Sequence, residues 1–321
     1  MATKTMKANT GEFSLIRLSK LFTFLVAIAS AIGLFDSYSL YFELFIHFRF
    51  QYLVLSLLFF SIFILKKELL WAALAFSSAF LNAIFVGPIY FSDTGKIDQL
   101  TGVELKVFHS NVQSSNPNSQ LLLRHVLEES PDILVLQEVN KRWIEDISSL
   151  STEYPHQVVR SREDNFGIAI YSKLPIISSE FLYLGESTVP SIKALIAIQN
   201  KQLTIVTSHT LPPINPEYFR VRNAQIGAIS NLIKSTKGPR ILVGDLNITP
   251  WSTFYKPLTN NTGLVNARKG SGVTPTWPSS FYPLSIPIDH IMVSVDINVI
   301  NLYSGESIGS DHLPLIARLK L

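Results

Sequence analysis

The sequence predicts a mixed α/β domain, two stacked sheets covered by helices, carried behind an N-terminal segment of about three transmembrane helices. Three observations lead there: uncharged apolar runs crowd the first ninety residues, short β-rich runs with tight turns follow, and polar residues recur where those runs end. The 321 residues are 47% hydrophobic and only 16% charged, against about 25% charged in ordinary globular domains. That balance excludes a disordered chain. Zero cysteines exclude disulfides, zinc–thiolate sites and thiol nucleophiles.

The apolar runs cover 21–35, 50–65 and 69–92, none holding a charge. A span needs about 20 mostly apolar residues. The third run is long enough alone, and Lys20 and Arg49 can snorkel at the edges of the others. Lys4, Lys7, Arg17 and Lys20 precede the first run, and Lys66 and Lys67 separate the second from the third. Only Arg49 lies between the first two, and it and His47 are expected at headgroup level. Positive charge stays inside, so the N-terminus is expected in the cytoplasm of a cell with a multi-pass inner membrane, and everything after Tyr90 outside it. Ala29-Ser30-Ala31 resembles a signal-peptidase site, and cleavage there would leave two spans with the same final sidedness.

The polar stretch 92–102 reads as a linker, which gives an anchor over 1–91 and a soluble α/β domain over 103–321. Strands are expected at 105–108, 133–136, 168–171, 194–198, 203–207, 241–243, 288–293 and 315–319. Helices are expected at 119–130, 141–150 and 216–237, the last opening on Pro216 and stopping before Gly238-Pro239. Residues 102–321 carry 19 Lys/Arg against 18 Asp/Glu. A protein that grips nucleic acid nonspecifically carries a clearer basic surplus.

Chemistry gathers at the strand ends. Asn111, Glu138, His209, Asp245, Asn247, Asp289, Asp311 and His312 all fall there, where side chains converge on one mouth. Carboxylate and amide oxygens are hard ligands and suit magnesium or manganese. Histidines beside carboxylates supply acid–base capacity. His290 should face away from Asp289 by strand alternation, and His109, His125 and His156 show no carboxylate partner in the sequence.

Asn111-Val112, Leu136-Gln137-Glu138-Val139, Ser208-His209, Gly244-Asp245-Leu246-Asn247 and Ser310-Asp311-His312, in that order, resemble the endonuclease/exonuclease/phosphatase superfamily. The stretches PDILVLQEV, GIAIYSKLPI and SHTLPP, with the apolar N-terminus, are most similar to its bacterial membrane-anchored branch. The resemblance implies a four-layer α/β/β/α sandwich and a metal-dependent phosphoric ester hydrolase. It implies Glu138 as principal ligand of Mg2+ or Mn2+, with Asn111 and Asp311 beside it. Asp245 would orient or deprotonate the attacking water, and Asn247 would hold a phosphate oxygen. His312, its ring fixed by Asp289, and His209 would serve the phosphate and the leaving group. Asn165, Arg220, Arg222 and Trp277 are candidates for substrate contact.

The expected function is hydrolysis of a phosphodiester or phosphomonoester at the bilayer, with a phospholipid, lipid-linked or other surface phosphate ester favoured. An extracytoplasmic nuclease is the alternative enzyme, with nucleic acid as a less favoured partner. A catalytically silent membrane scaffold is the alternative of another class.

Overall fold

The computed structural model describes residues 2–91 and 102–321, with side chains from residue 15 onward. The expected linker, 102 apart, lies outside the described residues. The chain divides into two compact units, Met1–Pro88 and Ile89–Leu321.

The first unit is helical: α1 (Ala2–Ile32), α2 (Leu40–Ile46), α3 (Arg49–Leu65) and α4 (Leu69–Val86). Among the described residues, two stretches are long and apolar enough to cross a membrane, Leu15–Phe35 and Leu69–Tyr90. The second expected run, 50–65, falls in α3, which forms with α2 a broken pair bent by 55°. Ser39 caps α2 by accepting from Phe42 N. Arg49, expected at headgroup level, is fully buried within this unit at the start of α3. Its Nη1 donates to the Ser30 carbonyl at 2.8 Å and to Asn82 Oδ1 at 3.1 Å, and Ser56 donates to Ser78 at 2.9 Å. Polar groups bonded between helices hold an apolar bundle in one register, where apolar contacts alone discriminate weakly.

The second unit has twelve strands: β1 (Glu104–Asn111), β2 (Ile133–Gln137), β3 (His156–Arg160), β4 (Ile168–Ser172), β5 (Ile176–Tyr183), β6 (Pro190–Ile198), β7 (Lys201–Ser208), β8 (Arg240–Asp245), β9 (Leu264–Asn266), β10 (Asp289–Ser294), β11 (Asn298–Ser304) and β12 (Leu315–Lys320). They form two six-stranded sheets, ordered β11-β12-β1-β2-β4-β3 and β5-β6-β7-β8-β10-β9. Only β1–β2 and β7–β8 pair in parallel; the other neighbours are antiparallel.

Alternation along the strands produces the layers. Val107, Val135, Val243 and Ile291 pack in the core between the sheets. Their neighbours Phe108 and Leu134 face outward beneath α5 (Ser119–Glu129) and α6 (Lys141–Asp146), with Leu122, Val126 and Trp143. Leu242 and Met292 face the other way, beneath α7 (Pro216–Ser235) and α8 (Lys256–Asn260), with Ile226, Ile229 and Leu258. The result is the four-layer α/β/β/α sandwich. Asn215 caps α7 by accepting from Tyr218 N at 2.8 Å, with Pro216 in its first turn. The helix expected at 141–150 is shorter: α6 ends at Asp146, and a 3-10 turn covers Ser148–Thr152, where Ser151 donates to the Ser148 carbonyl. Serines that bond local backbone compete with helix continuation.

One buried side chain ties the sheets together below the site. Gln137, at the end of β2, accepts from Asp245 N at 2.9 Å and donates to Thr207 Oγ1 at 3.2 Å, both on the opposite sheet. Gly244 leaves it room, since a Cβ there would lie 2.5 Å from Gln137 Nε2 and 2.2 Å from the Ser208 carbonyl. Gln137→Leu keeps the volume but orphans the Asp245 amide. It is expected to cost about 1–3 kcal/mol, seen as a lower urea midpoint by tryptophan fluorescence of the full chain. An unchanged midpoint would remove Gln137 from this role.

Candidate active site

Every sandwich strand that carries a candidate group points it to the same end. Asn111 and Gln137 close the parallel pair β1 and β2 and stand opposite each other in register. Asp245 closes β8 and pairs with Asp289, which opens antiparallel β10. His209 directly follows β7, and His312 lies in the bend before β12 rather than in the strand itself. Glu138 and Asn247 follow their strands with φ of 64° and 48°. Left-handed backbone at these two turns redirects each side chain from the sheet to the mouth.

Two groups of contacts result. Asn111 Nδ2 donates to Glu138 Oε1 at 2.9 Å and to Asp245 Oδ2 at 3.3 Å, so carboxylates from both sheets converge on one amide. Glu138 Oε2 accepts from Ser114 N at 3.2 Å. Asp245 Oδ1 accepts from Asn247 N at 2.9 Å, while its Oδ2 lies 3.5 Å from His209 Nε2 and 3.6 Å from His312 Nε2. The second group centres on Asp289, whose Oδ2 is 2.8 Å from His312 Nδ1 and whose Oδ1 is 2.9 Å from His109 Nε2. His109 is therefore no ordinary histidine, contrary to the sequence reading. It lies two residues before Asn111 on the same strand, and that spacing, which puts both on one face, was the available signal.

Buried carboxylates set the charge of these rings. Burial works against the His312 imidazolium, but Asp289 and then Asp245 overcome it and raise its pKa to about 10. Burial likewise opposes His209, which Asp245 nevertheless raises. Asp289 is held well below the ordinary carboxylate value despite its burial, by His312 and His109. On the opposite face His290 is neutral, lowered to about 3 by burial and by Arg268. It donates from Nε2 to the Ile248 carbonyl at 2.7 Å and accepts from Arg268 Nη1 at 3.3 Å. Arg268 also donates to the Asp289 carbonyl at 2.5 Å and the Val273 carbonyl at 3.1 Å, fixing the backbone behind Asp289. Nothing local in the sequence marks Arg268 for this.

The other candidates part company. Arg222 is fully buried and donates to the Asn247 carbonyl at 2.7 Å, so it supports that turn. Arg220 pairs with Glu186 at 2.6 Å on the exposed surface instead of entering the site. Helical geometry separates the two, since positions two apart face different ways. Asn165 is exposed with φ 66°, and it is its neighbour Phe166 whose ring packs 5.2 Å from that of His209. Trp277 stands at the mouth, its Nε1 donating to Asp311 Oδ2 at 3.2 Å and its ring 6.5 Å from that of His312. Asp311 thus faces Trp277, with its own amide on Gln113 Oε1 at 3.3 Å. Asn247 donates its side-chain amide to the Thr210 carbonyl at 2.8 Å.

Two oxygen-rich sets fit a cation. Ligand atoms of Asp245, Asp289 and His312 lie within 4.8 Å of one another. Both Asp289 oxygens already meet an imidazole, however, which leaves it a clamp for the rings. Glu138 and Asp245 instead converge on the Asn111 amide, a pair of hard oxygen donors from the two sheets of the kind a divalent ion takes.

The family described as the Endonuclease/Exonuclease/phosphatase family matches residues 108–312. The chain belongs to it. Danio rerio TDP2, solved with a single-strand DNA product, is 15% identical with a TM-score of 0.59, over 68% of this chain and 99% of that one. An endonuclease/exonuclease/phosphatase from Bacteroides vulgatus is 20% identical with a TM-score of 0.58, over 68% and 99%. The human Nocturnin catalytic domain, solved with sulfate, is 20% identical with a TM-score of 0.56, over 68% and 96%. These likenesses carry the fold. No curated protein matches the chain.

The pH dependence follows from His312. Its native pKa lies above the ordinary value of about 6.5, so its stabilisation is complete below that pH and is lost as pH rises through about 10. Asp289 works in the opposite sense, losing its contribution as pH falls through its depressed value. In chelator, the thermal midpoint of wild type relative to Asp289→Asn is expected to shrink steadily from pH 6.5 upward. A constant difference across that window would dissociate His312 from Asp289.

Proposed function

We propose that this chain is a membrane-anchored, divalent-metal-dependent phosphoesterase whose catalytic unit works outside the cytoplasm on a phospholipid, lipid-linked or other surface phosphate ester. Members of its family are phosphoesterases or nucleases, usually dependent on a divalent metal. The observation that carries the reaction class is the meeting of Asn111, Glu138, Asp245, His209 and the Asp289–His312 pair at one end of the sandwich. Two stretches apolar enough to cross a bilayer support the anchor, and the uneven Lys/Arg placement supports the sidedness.

Glu138 and Asn111, with Asp311 beside them, would hold Mg2+ or Mn2+. When bound, the ion supplies Lewis-acid stabilisation of charge on the phosphate. The remaining work belongs to the side chains. Asp245 orients the attacking water and accepts its proton as the oxygen bonds to phosphorus. Asp289 holds His312 through Nδ1, so its Nε2–H is directed at a nonbridging oxygen, where the bond strengthens as negative charge builds. His209, in its protonated state, gives its Nε2 proton to the leaving oxygen as the ester bond breaks. Asn247 contributes a further bond to phosphate, and Trp277 flanks the entering ester.

A nuclease is the second reading, favoured by the single-strand DNA product held by Danio rerio TDP2. Against it stands the near balance of charge over residues 102–321.

Turnover by the full chain in vesicles should be compared on lipid phosphodiester, lipid phosphomonoester, a soluble ester and plasmid DNA. Magnesium, manganese and chelator form the conditions. Chelator and Glu138→Gln should each abolish turnover, and Asp245→Asn should lower it about 10²–10⁴-fold. Turnover indifferent to chelator and to Asp245→Asn would sink the assignment, and plasmid cut fastest would establish the nuclease.

A further inference from the structure

A loop beside the site is built unlike the rest of the catalytic surface. Trp277 and Ile286 form an isolated antiparallel bridge, with Trp277 N donating to the Ile286 carbonyl at 3.1 Å and Ile286 N to the Trp277 carbonyl at 2.6 Å. Between them run Pro278-Ser279-Ser280-Phe281-Tyr282-Pro283-Leu284-Ser285, without a single charge. The base is fastened to the candidate site. Ser279 N donates to the Asp311 carbonyl at 2.8 Å, Ser279 Oγ to the Ser310 carbonyl at 2.7 Å, and Trp277 Nε1 to the Asp311 carboxylate. The tip turns on itself, Leu284 N donating to the Phe281 carbonyl at 3.0 Å, and projects three large side chains outward. Phe281, Tyr282 and Leu284 are 54%, 65% and 50% exposed.

Adjacent apolar side chains held outward on a fastened loop are a poor solution in water and a good one against another phase. Its neighbourhood identifies that phase. The segment leading into the loop meets Ile89 and Tyr90, the residues with which the second unit begins. Gly270 N donates to the Ile89 carbonyl at 2.8 Å, and a Cβ on Gly272 would meet the Tyr90 ring at 3.2 Å. A tyrosine ending a span sits at headgroup depth, the layer that amphipathic aromatic side chains prefer.

We propose that 278–285 is a bilayer-docking loop. Phe281, Tyr282 and Leu284 enter the interfacial layer of phospholipid and hold the mouth formed by Trp277, Asp311 and His312 against the headgroups. The ester presented to the site is then one carried by a lipid. This rests on the reading of the N-terminal helices as membrane spans. It assigns the loop a role separate from the reacting groups, because the three tip residues touch none of them.

The cysteine-free sequence makes the test direct. The full chain carrying Phe281→Cys, labelled with an environment-sensitive fluorophore, is reconstituted in phosphatidylcholine–phosphatidylglycerol vesicles containing a shallow lipid-attached quencher. Val295→Cys, beyond the opposite end of β10, is the comparison. The label at 281 is expected to shift to the blue and to quench several-fold more than that at 295. Separately, the triple variant Phe281→Ser, Tyr282→Ser, Leu284→Ser should raise KM for a vesicle-borne ester about tenfold. It should leave turnover of a soluble ester unchanged. A chain stripped from the vesicles by alkali would overturn the spanning reading and this proposal together. A retained chain with an unquenched label at 281 overturns the loop alone. Shielding of that label without lipid quenching would make a protein surface the occupant and overturn it too.

Discussion

Two sheets packed through an apolar interior leave one quantity loosely determined, the offset of one sheet past the other, because aliphatic contacts tolerate small slides. Gln137 removes that freedom. Its amide is buried between the sheets, accepts from the Asp245 amide and donates to Thr207 Oγ1. A buried amide left with one end unpaired costs far more than a slightly altered aliphatic contact. The sheets therefore settle where both ends are bonded, and Gly244 supplies the clearance. Glu138 follows Gln137 directly and Asp245 is one of the residues it grips. The bond that sets the offset also sets the distance between carboxylates of different sheets.

The site is stiff because its charges are stacked in alternating sign from the back to the mouth. Arg268 lies deepest and fixes the Asp289 carbonyl, while His290 stays neutral beside it. Asp289 comes next, clamped between His109 and His312. His312 and His209 then flank Asp245. Each buried charge has an opposite or hydrogen-bonding neighbour, which is the condition for keeping it in the interior. The stack ends at the mouth, where Asp245, already flanked by the two imidazoles, shares the Asn111 amide with Glu138. Glu138 is bonded there to neutral donors, the Asn111 amide and Ser114 N, so it is the carboxylate that a cation entering with a phosphate ester would compensate.

Much of this was legible in sequence, and what was not has a common cause. The strands read correctly are interior ones, whose two-sided burial leaves continuous apolar runs such as Ile133–Gln137. The four missed, β3, β5, β9 and β11, are the four sheet edges. Edge strands bury one face or less, as in the exposed centre of Ile176–Tyr183, so the apolar run that marks a strand is missing. The chemistry-bearing residues were legible because each ends a readable strand. Their supports were not: Gln137 and the His109–Asp289 pair act across sheets, the latter between residues 180 apart in sequence, and Arg268 bonds backbone that only the pairing of β9 with β10 brings beside it. Arg222 likewise holds the Asn247 turn, a bond between residues 25 apart that the sequence does not announce.

The near-neutral catalytic unit and the apolar N-terminal helices fit one physical account. An enzyme that meets its substrate by free diffusion gains from a charged funnel that raises encounter rates. A catalytic unit tethered to the surface that carries the substrate needs no such funnel, because tethering converts encounter into an intramolecular search at high effective concentration. On the proposed anchoring, affinity for the ester can remain weak and local, supplied at the mouth by His312, His209 and the cation set. Orientation then becomes the limiting demand, since a tethered unit that tumbles presents its site to the surface only part of the time. An uncharged loop fastened at its base to Asp311 and exposing Phe281, Tyr282 and Leu284 is a structural answer to that demand.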